Sequence, residues 1–133
     1  MASLRGSTTI WDATTGAAVA QNDPSSWAFV GSATNIAIYI KGGATAATFK
    51  IQVSGVTVKA GLNEINSGAG EDGGVDWYDY HDAATELSSL VVGVSGLECF
   101  NLHGFAPSLI RLVRTDAAAA TTVQATIVTN GPN

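Results

Sequence analysis

A single cysteine, Cys99, stands among 133 residues, so no disulfide can form within the chain and the fold must rest on packing. Its setting in the apolar run LECFNL predicts a buried, inert thiol. Basic residues are also scarce, three lysines and three arginines against eleven acids, for a net charge of −5. Too few cations are present to neutralise a phosphate backbone over several contacts, which argues against nucleic acid as a partner. No stretch approaches the roughly 18 consecutive apolar residues of a membrane-spanning helix, so no membrane partner is expected. The opening MASLRGSTTIWD has one arginine and no apolar run after it, and reads as carrying no export signal. There is no Asn-x-Ser/Thr glycosylation site.

What remains is rich in small residues: 15 glycines, 21 alanines and 14 threonines, with only 13% of positions charged. That composition suits short strands and turns better than disorder or a helical bundle. The length fits one domain, which can bury roughly 65–70% of its unfolded surface. We therefore expect a single β-sandwich domain over 1–133, with residues 1–7 as an N-terminal docking arm.

Period two dominates the chain. In NIAIYIK, Ile36, Ile38 and Ile40 share one face, and Ala37, Tyr39 and Lys41 the other. In TFKIQVS, Phe49, Ile51 and Val53 alternate with Lys50, Gln52 and Ser54, and VTVK follows across Ser54-Gly55 as a hairpin partner. Ile110 and Leu112 flank Arg111, and Val123, Ala125 and Ile127 alternate with Gln124, Thr126 and Val128. Further strands are expected in 8–12, 17–21, 27–31, 75–80, 87–94 and 97–103. Turn chemistry separates them, as in NDPSS and KGGA, and no segment supports a long helix. The expectation is an all-β fold, an antiparallel β-sandwich or jelly roll of about eight to ten short strands.

The segment DGGVDWYDYHD (72–82) concentrates chemistry-bearing side chains. Glu71, Asp72, Asp76, Asp79, Asp82 and Glu86 supply six of the eleven acids. Asp72, Asp76 and Asp79 are the candidates for a calcium-type cation, but their spacing does not match a continuous calcium loop, and alternation along a strand would spread them over two faces. A solvated acidic rim is the preferred reading, with no cofactor or metal expected. Trp77 is expected first as a core anchor, and Trp77, Tyr78, Tyr80 and His81 are the candidates for a ligand or subunit contact, a sugar ring included. Arg111 reads as an outward residue paired with an acid across strands or across subunits. His81 and His103 lie far apart, and no nucleophile-elbow, zinc-helix, phosphate-loop or paired C-x-x-C motif occurs, so no catalytic residue is assigned and no enzyme is expected.

From about residue 46 to 131 the chain resembles small β-sandwich structural proteins of tailed bacteriophages. An Asp-Gly turn (Asp72, Gly73) leads into a strand bearing Trp77. The close is a hairpin with Pro107, Ile110, Arg111 and Leu112, followed by a Thr/Val-rich strand with Val123 and Ile127. This chain departs from the pattern in having two glycines and an extra aspartate before the tryptophan. The resemblance implies a jelly-roll or galactose-binding-like sandwich serving as a head decoration (cement) protein. Such a protein is made in the host cytoplasm, sits on the outer capsid surface, and binds the major capsid protein or other virion subunits and itself. A homo-oligomer is expected, a trimer ahead of other states. The alternative is a carbohydrate-binding or adhesion module of a phage tail or fibre, with a glycan bound at 72–82.

Overall fold

The computed structural model describes residues 4–31, 33, 35–54, 77–80, 89–103 and 109–131. Nine strands and no helix are found among them: β1 (Leu4–Trp11), β2 (Ala28–Phe29), β3 (Asn35–Lys41), β4 (Ala47–Ser54), β5 (Tyr78–Asp79), β6 (Leu90–Val92), β7 (Leu97–His103), β8 (Leu109–Arg114) and β9 (Gln124–Gly131). They form two antiparallel sheets, the β-sandwich that the alternation calls for. The first sheet runs β1-β9-β3-β7. The second runs β2-β8-β4-β5, with β6 also paired to β4.

The hydrophobic residues of the alternating runs form the core. Ile36, Ile38 and Ile40 from β3, Leu102 from β7, and Ala125 and Ile127 from β9 meet Phe49 and Ile51 from β4 and Ile110 and Leu112 from β8. Each such aliphatic or aromatic side chain, fully buried, contributes about 1.5–3 kcal/mol of transfer free energy. At the end of β1 the register shifts between Thr9 and Trp11. This bulge lets two consecutive residues face inward: Ile10 is buried, and Trp11 packs on the core with its ring centroid 5.3 Å from that of Phe49. Residues 4–7, from the segment expected as an arm, are paired with residues 128–131 of β9.

Two expected strands are reduced to fragments. Residues 17–21 make only a bridge between Val19 and Thr121, and 27–31 contribute only the two residues of β2. The segment between them runs beside β8 but cannot continue a ladder. Asn22 sits at φ 69°, and Pro24 has no N–H to donate. Ser25 repairs the gap: its N–H donates to Leu112 O, and its hydroxyl accepts from Leu112 N–H and donates to Ser26 O. Every residue of β8 except half-buried Arg111 is buried, Leu109 and Val113 as well as inward Ile110 and Leu112. The expected strand at 87–94 is present as β6 alone among the described residues. The hairpin expected across Ser54-Gly55 lies outside them.

Candidate functional site

Of the 72–82 segment, residues 77–80 are described, and Asp72, Asp76 and His81 lie outside the described residues. β5 pairs with the end of β4, setting Asp79 opposite Gln52 and Tyr78 opposite Val53. Asp79 faces outward from the second sheet, where its carboxylate accepts from Lys50 Nζ at 3.2 Å and from Gln52 Nε2 at 3.0 Å. The Gln52 bond, then that of Lys50, holds the Asp79 carboxyl below its ordinary pKa.

Trp77 corrects the expectation of a core anchor. It is half-buried on the outer side of the second sheet, with the Arg111 guanidinium 4.3 Å from its ring centre. Its indole N–H is buried and makes no hydrogen bond among the described residues. The parity of the strand decides this placement: Trp77 falls on the side of Asp79, away from the core that receives Tyr80. Arg111 is outward as expected, but its described cross-strand partner is Gln52, an amide, at 2.9 Å through Nε. The aromatic trio is therefore dispersed: Trp77 lies under Arg111, Tyr78 is exposed, and Tyr80 packs on the core. Among the described residues no group of three or more His, Cys, Asp or Glu converges.

The arginine that organises this molecule is another one. Arg114 continues the inward parity of Ile110 and Leu112 and is 0% exposed. Its guanidinium grips Asp116 in a two-point fork, Nε to Oδ1 at 3.0 Å and a terminal nitrogen to Oδ2 at 2.9 Å. The other terminal nitrogen donates to Val19 O at 2.6 Å and to Ala119 O at 3.0 Å. Asp116 in turn accepts from the N–H groups of Thr48 and Ala118. These bonds, that of Arg114 first, push the Asp116 carboxyl far below its ordinary pKa of 3.8, and the same bond raises that of Arg114. One buried cation thus ties the end of β8 to β4 and to two loops. The sequence carried a signal for it, since the spacing 110, 112, 114 puts Arg114 on the core face with an aspartate two residues on.

The other face of note is the outer side of the first sheet. Its middle rows, Ser7–Val128–Ala37–Asn101 and Thr9–Thr126–Tyr39–Cys99, contain no charged residue. Two hollows open on either side of Tyr39, which is 46% exposed. One of about 340 Å³ is bounded by Tyr39, Lys41, Leu97, Glu98, Cys99 and Gln124, and one of about 300 Å³ by Asn35, Ala37, Asn101, Val128 and Asn130. Cys99 is exposed here, which corrects the expected buried thiol. The register sets it beside outward Tyr39, whereas the neighbouring Phe100 and Leu102 take the core side of β7.

No protein-family model matches this chain, and no curated protein matches it in sequence. Among solved structures, the chain is similar to one described under "Bacillus endospore appendages form a novel family of disulfide-linked pili". The identity is 12% and the TM-score 0.45, over 99% of this chain and 90% of the other.

Proposed function

We propose that the protein is a non-enzymatic structural subunit that works by adhesion, and specifically a decoration or cement protein bound to the outer capsid surface of a tailed phage. The observation that carries this reading is the pair of uncharged middle rows on the outer face of the first sheet. Covering those rows strips no ion of water, and Ser, Thr, Ala and Val lose little side-chain freedom when ordered. Of the acids that looked like chemistry in the sequence, Asp79 is the member among the described residues, and its carboxylate is held within the fold by Gln52 and Lys50. A subunit of this kind gains stability by mass action, because binding to an assembled lattice draws the folded state toward it.

The strand order adds geometry. β1 and β7 are the outer strands of the first sheet among the described residues, and the uncharged rows run across all four strands between those edges. Particle imaging tests the function directly. Purified virions examined by electron microscopy should show this sandwich seated on the head, with the β1-β9-β3-β7 face against a neighbouring subunit. Virions that lack the protein, or that carry it with this face bare to solvent, would refute the reading.

A further inference from the structure

Much of β1 is held by its ladder alone. Gly6, Ser7, Thr8 and Thr9 are all exposed, although the register sets Thr8 beside inward Ile127 and Gly6 beside Thr129 on the same side of β9. Among the described residues the Ser7, Thr8 and Thr9 hydroxyls make no hydrogen bond within the chain. The strand joins the core only past the bulge, through buried Ile10 and through Trp11 against Phe49. With no buried side chain to release, residues 6–9 come away from β9 at far less cost than a strand with a core face, and the opening stops at the bulge.

Such an opening leaves an intact slot behind it. β9 stays paired with β3 along its other side, from Asn35 opposite Asn130 to Lys41 opposite Gln124, so the backbone groups it turns toward β1 keep their places. Those N–H and C=O groups call for another strand. The slot is also selective. A Cβ at position 6 would stand 2.8 Å from Thr129 Oγ1, closer than carbon ordinarily approaches oxygen, so the occupying strand needs glycine opposite Thr129. The sequence of β1 meets that condition in register, whichever copy of the chain supplies it.

We propose that β1 is an exchangeable strand, and that the slot along β9 of one copy receives residues 4–9 of a second copy, each from the other. Pivoting at the Thr9–Trp11 bulge, residues 4–9 reach about 20 Å at about 3.3 Å of rise each. Reciprocal exchange about a two-fold axis fills both slots at once and joins copies in pairs, where the sequence suggested a trimer. Ser7 and Thr9 return to the same outer rows, now supplied by the neighbour. Closed and exchanged forms share one ladder, so the balance between them is set by how crowded the copies are. The inference rests on the adhesive-subunit reading for the setting that crowds them, and it names the element that links them: the expected docking arm, folded back on its own β9 in the single chain.

A mixing experiment on the full chain, with Cys99→Ser throughout, tests the exchange. Chains carrying Ser7→Cys are mixed with chains carrying Val128→Cys, positions that face each other in the β1–β9 register, and are oxidised with copper phenanthroline. Exchange predicts a disulfide-linked heterodimer, identified by mass, whose yield rises with protein concentration. Ser7→Cys mixed with Asn101→Cys, at the far end of the same row, gives the level of chance collision. Adding Gly6→Val to the Ser7→Cys chain should bring the yield down to that level while circular dichroism and the thermal midpoint stay nearly unchanged. A yield no higher than chance at every concentration overturns the exchange and leaves the adhesive reading to be judged by particle imaging. A high yield that survives Gly6→Val would place the strand on some other surface and overturn the slot.

Discussion

Asp116 shows how one residue in a loop can govern the end of a sandwich. Its fork with Arg114 compensates a cation that has no contact with water, so Asp116→Asn should cost about 3 kcal/mol at neutral pH, as expected when one partner of a buried pair is removed. The pH dependence follows from the direction of the shift. Because the folded-state pKa is depressed, the stability due to ionised Asp116 is complete above 3.8 and drains away as the pH falls from there toward the native value. Urea unfolding midpoints should therefore differ widely between wild type and Asp116→Asn at neutral pH and converge well below pH 3.8. A constant gap across that range would show that the pair is not the source. Reading the sequence favoured Arg111, because an outward arginine among apolar residues looks like a partner in waiting. Arg114 was legible from the same parity that identified Ile110 and Leu112. Trp77 was not, because alternation tells which residues share a face and is silent on which face the core takes.

At the scale of elements, β3, β4, β7 and β9 could be read directly from the chain, since each has one buried and one open face and so writes its period in the sequence. β8 was oriented by the same alternation, Ile110 and Leu112 inward and Arg111 outward, although Leu109 and Val113 are buried as well. The fragments beside it were the least legible. Residues 17–31 have the composition of strands, but the positive φ of Asn22 and the missing N–H of Pro24 divide them, and a side chain substitutes for the lost backbone partner. Ser25→Ala isolates that substitution. It leaves the Leu112 N–H buried with no acceptor, which should lower stability by about 1–3 kcal/mol, far above the cost of an exposed Ser→Ala change. Denaturant midpoints and the exchange rate of the Leu112 amide should both report it, and unchanged amide protection would mean that another acceptor takes the serine's place.

For the molecule as a whole, the composition already implied a sandwich held by packing alone, and the two sheets with their shared apolar core are that structure. The acidic cluster was read from the sequence as a solvated rim. Its member among the described residues, Asp79, binds Lys50 and Gln52 on the outer side of the second sheet.

The strand order also sets a schedule for how the protein is made. β9 lies between β1 and β3, so the earliest strand of the first sheet has no neighbour until the latest one has left the ribosome. At roughly 5–20 residues per second that wait is on the order of ten seconds, during which β1 has no strand partner in its sheet. A chain ending before Gln124 should accordingly lack the cooperative unfolding transition of the full protein and bind a hydrophobic dye, and a sharp transition in that truncation would show the first sheet standing without its central strand. Nascent chains of this protein are therefore expected to crosslink to a ribosome-associated chaperone until β9 emerges, and to lose that crosslink on its arrival.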